Sequence, residues 1–101
     1  MLLILAEAAE ELEAAAACLE RERPGYAVVF LKAYESKIRQ LVRFPESGPL
    51  VKSAPAGHAL RSFGIRGFRH SIIVGRFDGR STIVAVAHQS REPGYWRDRL
   101  K

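Results

Sequence analysis

The spacing of apolar and polar positions changes once along this chain. From Ala6 to Arg23, Leu12, Ala15, Ala16 and Leu19 recur at steps of three and four, while Glu11, Glu13, Glu20 and Glu22 lie mostly elsewhere. In a stretch rich in alanine and glutamate, that spacing predicts a helix. Pro24-Gly25 stops it with a tight turn. A second helix is predicted from about Tyr26 to Phe44. Its apolar stripe is Ala27, Phe30, Leu31, Tyr34, Ile38, Leu41 and Val42, with Lys32, Lys37, Arg39 and Arg43 off the stripe. It must end ahead of Pro45, because the residue before a proline avoids helical dihedrals. So short a connection forces the two helices antiparallel.

The flanking segments read as strands. Residues 1–5 are apolar throughout and predict a short strand buried on both faces. Residues 45–57, with three prolines and two glycines, predict a loop. Beyond it the period falls to two, with strands over 58–65, 68–77 and 81–88. Asp78-Gly79 supplies the positive φ angles that a tight hairpin turn needs. The 81–88 strand is apolar on both faces and so belongs in a covered, central position. Pro93 ends the sheet, and Gly94 to Leu100 form a short terminal turn or helix. The fold class is therefore α+β. It has an N-terminal strand and an antiparallel helical hairpin packed on one face of an antiparallel sheet, with a three-strand C-terminal meander. With 101 residues, residues 1–101 make one domain.

Charge alters this picture more than composition does. Residues 1–50 carry six Lys/Arg against eight Glu, whereas residues 51–101 carry ten against three acids. Most of that excess is arginine: Arg61, Arg66, Arg69, Arg76, Arg80, Arg91, Arg97 and Arg99, joined by Lys101. The forked guanidinium grips phosphate or carboxylate through two hydrogen bonds. The second half is thus expected to gather these arginines into one cationic surface, beside Tyr95 and Trp96, that faces an anionic partner. Cys18, alone among alanines, reads as a small buried or half-buried filler rather than a nucleophile. His58, His70 and His88 have no cysteine or carboxylate cluster at ligand spacing, so no metal site is expected, and no cofactor is implied. The five apolar residues at the start lack a basic leader and run into Glu7, Glu10 and Glu11. No signal peptide or membrane span is expected, which makes the cytoplasm the expected location.

Several local strings resemble the ParE/RelE toxin superfamily, the plasmid-stabilisation toxins of type II toxin–antitoxin pairs. They are Ala8-x-x-Glu11-Leu12, Pro24-Gly25, Phe44-Pro45-x-x-Gly48, Leu60-Arg61 and, most specific, Val84-x-Val86-x-His88-x-x-Arg91-x-Pro93-x-Tyr95-Trp96. The resemblance implies a cognate antitoxin that wraps the toxin with a flexible, often acidic segment. It also implies one of two activities. ParE-type members poison DNA gyrase without being known as enzymes. RelE-type members enter the ribosome and cut messenger RNA. A third reading is an inactive homologue that binds the antitoxin but has lost its poison.

Chemistry separates the first two. Metal-independent RNA cleavage needs a base for the ribose 2′-OH, an acid for the leaving oxygen and cations for the developing charge. The candidates are Arg61, Arg69, His88, Arg91 and Tyr95, with alternation placing His88 on the face of Val84 and Val86 and strand pairing bringing Arg61 and Arg69 towards it. Each also has a plainer role: His88 as a core-edge histidine bonded to backbone, Tyr95 and Trp96 as rings capping the sheet or helix pair, Arg61 paired with a carboxylate of its own chain, and Lys52 merely solvated. Lysine is scarce, no carboxylate stands out as a base beside the sheet arginines, and an unassisted tyrosine is a poor base at neutral pH. These departures favour the ParE-like, non-enzymatic reading, with Arg61, Arg91, Tyr95, Trp96 and Arg97 gripping the target. The antitoxin is expected on the outer face of the helical hairpin, drawn in by the basic sheet edge.

Overall fold

The computed structural model describes residues 2–55 and 57–100. Met1, Ala56 and Lys101, which fall within the expected strand, loop and cationic tail, lie outside the described residues. The elements are β1 (Leu2–Ile4), α1 (Ala6–Glu22), α2 (Tyr26–Arg43), β2 (Leu60–Gly64), β3 (His70–Phe77) and β4 (Arg80–His88), followed by a 3₁₀ turn (Arg97–Leu100). One four-stranded sheet has the order β1-β4-β3-β2. The meander β2-β3-β4 is antiparallel as expected. β1 joins it in parallel, Leu2 opposite Ser81 and Ile4 opposite Ile83, so the sheet is mixed. The reason lies in the connections: β4 is central, and the helical hairpin carries the chain from β1 back to the far edge at β2.

The two helices are clasped at their turn. Gly25 takes φ 88°, open to glycine without strain. The Glu20 carboxylate then accepts the amides of Gly25 and Ala27, at 2.9 and 3.1 Å, and so occupies free donors at the start of α2. These bonds hold the Glu20 carboxyl below its ordinary pKa.

Two cores sandwich the sheet. On the helix side, Ala8, Phe30, Leu41, Phe63, Ile65, Ile72, Val74, Ile83 and Val86 pack with the α1 stripe of Leu12, Ala15, Ala16 and Leu19. On the other side, Leu60, Ile73, Val84, Ala85 and Trp96 form a second core, closed by Val51 and Ala54 of the loop and by Leu100 of the tail. β4 is thereby covered on both faces, as its unbroken apolar run implied.

Three expectations are corrected. β1 is an edge strand rather than one buried on both sides, and Ile4 is 41% exposed. Cys18 is exposed, with Sγ 3.7 Å from Glu22 Oε2. It falls outside the face of α1 that meets the sheet. The α2 stripe is wider than the surface it buries: Phe30 and Leu41 are enclosed, but Leu31 and Val42 stand 37% and 61% exposed at its margins.

A fourth correction concerns the sheet faces. Ile73 opposes Ala85 while Val74 opposes Ile83, so β4 carries one extra residue, Val84, at a β-bulge. The bulge breaks strict alternation. Ile83 and Val86 face the helices, whereas Val84 and Ala85 both face the second core. Val84 and Val86 therefore do not share a face, and the placement of His88 by simple alternation from both cannot stand.

Candidate functional site

β1 ends at Ile4, with Leu5 giving a last backbone bond to the Ile83 carbonyl. Beyond that point β4 would present unpaired backbone groups at a sheet edge. Side chains satisfy them instead. Glu11, from the inward face of α1, accepts the Val86 amide at 3.1 Å, and Arg99 donates to the Val84 carbonyl at 3.1 Å. Glu11 and Arg99 also meet each other fork to fork, at 2.8 and 3.0 Å, and the Tyr95 hydroxyl donates to Glu11 Oε2 at 2.6 Å. This is the one ion pair among the described residues. It ties helix α1, strand β4 and the C-terminal tail into one polar junction.

The electrostatics follow from these bonds. Burial acts to raise the Glu11 carboxyl, but the bonds from Arg99, Tyr95 and the Val86 amide, with the Arg99 charge, outweigh it and hold the pKa below its ordinary value. The bond to Glu11 raises the pKa of Arg99. The Tyr95 hydroxyl is pushed up to about 12, by burial first and then by its bond to Glu11 and the nearby negative charge.

The tail then shapes a shallow cleft of about 240 Å³ on the second face of the sheet, lined by Ser62, Ser71, His88, Arg91, Tyr95 and Trp96 among others. Arg91 lies over the Tyr95 ring, 3.9 Å from its centroid, with Arg99 at 5.2 Å from that centroid. His88 stands at one end, its ring lying towards the helix face against His70. Its Nδ1 accepts the Ser90 amide at 3.0 Å and lies 2.7 Å from the Ser90 hydroxyl. The neutral ring therefore carries its proton on Nε2. The His88 ring packs edge to face with His70, centroids 4.9 Å apart, and His70 in turn with Phe30 at 5.2 Å. His70 Nδ1 is buried with no hydrogen-bond partner. Burial, then the neighbouring His88, lowers the His70 pKa.

The structure brings His88, Arg91, Tyr95 and Trp96 to this cleft and leaves other sequence candidates apart from it. Trp96 is 3% exposed, its ring part of the second core, so it supports the cleft from below rather than offering itself as an anchor. Arg61 is paired with Val74, four positions along β3 from the His70–His88 pair, or roughly 13 Å at strand spacing. Its guanidinium donates to the carbonyls of Glu46 and Gly48, at 3.2 and 2.7 Å, not to a carboxylate of its own chain. Arg69 is exposed at the correct end of the sheet, where its carbonyl accepts the Gln89 amide. Arg97 is exposed, its Nε donating to the Gly94 carbonyl. The expected single cationic surface is instead divided. Arg91, Arg97 and Arg99 belong to the tail, while Arg43, Arg61 and Arg76 line a separate groove at the hairpin end of the sheet.

Glu11, Arg99 and His70 were missed as site residues. Glu11 had a signal, since it is an acid on the same helical face as Ala8, Leu12, Ala15 and Leu19, where a carboxylate must find a partner. Among the described residues no group of histidine, cysteine and acidic side chains is placed to hold a metal ion, and no helix is long and apolar enough to cross a membrane.

No curated protein matches the chain. Residues 2–93 match the family model for the ParE toxin of the type II toxin–antitoxin system, parDE. That match spans β1 to the cleft, with the Ala8-x-x-Glu11 string supplying the carboxylate of the polar junction and the His88-to-Pro93 string the cleft's rim. The chain belongs to the ParE toxin family, and its partner is a cognate antitoxin.

Proposed function

We propose that this toxin arrests growth by gripping a DNA gyrase–DNA intermediate, as a binding protein and not as a ribonuclease. The observation that carries this reading is the occupation of both candidate bases. The Tyr95 hydroxyl is committed to Glu11 at 2.6 Å and titrates near 12. The His88 nitrogen able to accept a proton already accepts the Ser90 amide. A 2′-hydroxyl entering the cleft would find neither group free to deprotonate it. A poison needs no base, only a surface that binds, and the cleft offers Arg91 stacked on Tyr95 with Arg97 exposed on the following turn.

The RelE-like alternative, ribosome-dependent cutting of messenger RNA, has one feature in its favour. Arg69, His88 and Arg91 lie at the same end of the sheet, where cations could offset developing charge. Two assays separate the readings. Purified protein with gyrase and supercoiled DNA should accumulate trapped breaks, and the same protein with ribosomes and messenger RNA should leave the message intact. Site-specific cleavage of the message would overturn the proposal. Expression without the antitoxin tests the third reading, since an inactive homologue leaves growth unchanged.

A further inference from the structure

The two edges of the sheet end differently. At β2 the edge is partly covered: Leu50 bridges Arg61, the Val51 amide donates to the Leu60 carbonyl at 2.8 Å, and the Ser62 amide donates to the Pro49 carbonyl at 3.0 Å. At β1 the edge residues are Leu2, Leu3 and Ile4, with no lysine, proline or bulge to blunt them. The Leu5 amide is turned to β4, where it meets the Ile83 carbonyl at 3.0 Å. Backbone groups alternate in direction along a strand, so the amides and carbonyls of Leu2 and Ile4 are turned outward. Beside this edge a groove of about 320 Å³ runs between β1 and α2. Leu2, Ile4, Tyr34 and Ile38 line it, and Glu35 and Arg39 flank it. Both charged residues are exposed, and neither is in an ion pair among the described residues.

An open apolar strand beside one acid and one base is complementary to itself. A two-fold axis through Leu3, perpendicular to the sheet, sets β1 antiparallel to its copy. Leu2 of one copy then faces Ile4 of the other, and such a pair exchanges both of its outward amide-to-carbonyl bonds. The same axis keeps both α2 helices on one side of the joined sheet and carries Glu35 of each copy towards Arg39 of the other. A strand from a partner of one charge sign would satisfy only one of these two groups. We infer that the β1 edge pairs with the β1 edge of a second copy of this chain, joining two four-stranded sheets into one. Ile4, 41% exposed in the single chain, is covered by that pairing. Neither the edge nor its flanking charges depend on which target the toxin grips. The pairing does bear on how it grips: both clefts come to face the same side of the joined sheet, so the two arginine-bearing tails are presented together.

The test is the state of the purified chain in the absence of antitoxin. Sedimentation should show a monomer–dimer equilibrium that moves with concentration, and hydrogen exchange at the Ile4 amide should slow as the dimer fills. Glu35→Arg should weaken self-association at least roughly tenfold, because like charges then meet twice across the axis. Arg39→Glu should do the same. The two changes together should restore the dimer, a rescue that a disturbance of folding would not produce. A chain that stays monomeric at every concentration would overturn the inference. So would a dimer indifferent to the single reversals or not rescued by the double one, or an Ile4 amide whose exchange ignores concentration. A monomer whose Ile4 amide is protected only when antitoxin is added would overturn it in favour of a strand supplied by that partner. None of these readings depends on toxicity, so each leaves the proposed activity to its own assays.

Discussion

Glu11 and Tyr95 stand 84 positions apart in the chain and share a hydrogen bond of 2.6 Å. Around it, one carboxylate serves a tyrosine hydroxyl, a bidentate arginine and a strand amide at once. The tail that follows β4 is thus fastened to the first helix, and the cleft exists because it is.

Replacing Glu11 tests that dependence. Glu11→Ala should cost about 2–3 kcal/mol, because Arg99, the Tyr95 hydroxyl and the Val86 amide all lose their acceptor in a half-buried setting. Glu11→Gln, which keeps the shape and loses the charge, should cost less. Urea denaturation reads both, and a double cycle with Arg99→Ala isolates the pair. The pH dependence has a fixed sign. The folded-state pKa of Glu11 lies below its unfolded value, so its contribution is complete above about pH 4.3 and fades as pH falls through the folded value. A Glu11→Ala protein as stable as the parent would show that the tail is held by the apolar packing of Trp96 and Leu100 instead.

His70 should make stability fall on mild acidification. Its pKa is lowered by burial and by His88, so below about pH 6.5 the unfolded chain takes up a proton that the folded chain resists. Its contribution is complete above that pH and declines as pH drops towards the lower folded-state value. Phe30 lies 5.2 Å from His70, and Phe68 lies 5.0 Å from Phe30. His70→Phe should therefore be tolerated and should flatten the melting temperature between about pH 7 and 5. An unchanged slope in that variant would assign the effect elsewhere.

The fold was legible because each element depends on local signals. Periodicity set the two helices, Pro24-Gly25 and Pro45 set their ends, and Asp78-Gly79 set the hairpin, with φ of 52° and 75°. The mixed sheet was not legible, since nothing in Leu2–Ile4 states which strand it will join or in which direction. Nor was the bulge: Ile83 to Ala87 is apolar at every position, so an inserted residue leaves no mark in the pattern. The site was read from its sheet side alone. His88, Arg91 and Tyr95 were found because they follow one another in sequence, but their partners Glu11 and Arg99 are fixed by tertiary contacts that no spacing encodes. Trp96 showed its residue type but not its direction, and a tryptophan on a tail can cap a core as readily as it can anchor a partner.

Gly48 is held by space. A Cβ there would meet the Ser62 carbonyl oxygen at 2.7 Å and the Phe63 ring at 2.9 Å. The first is strand backbone and cannot swing aside. Gly48→Ala should therefore cost about 1–3 kcal/mol, as overpacking does elsewhere, and should loosen the loop that Arg61 ties down. Gly64→Ala is the matched control, because a Cβ there meets nothing within 4 Å. Thermal melts should separate the two, and equal melting temperatures would remove the steric argument.

Charge reversal at the tail tests whether this surface grips the target. Arg91 and Arg97 are both exposed, and neither is paired with a carboxylate among the described residues. Replacing both with glutamate should disturb the fold little, since surface changes usually move stability by no more than about 0.5 kcal/mol each. The stacking of Arg91 on Tyr95, at roughly 0.5–1 kcal/mol, and the Arg97 Nε bond to the Gly94 carbonyl are the contacts that could add to this. The Glu11 junction below would remain. A partner bearing phosphates would now meet repulsion where it had met a guanidinium on an aromatic face, and like-charge contact is costly. Growth arrest on induction should disappear, trapped gyrase–DNA breaks should disappear with it, and the circular dichroism melt should stay near that of the parent. If the double variant arrests growth as fully as the unaltered toxin, the tail is not the surface that holds the target, and the search moves to the exposed flank of α2 at Val28 and Val29.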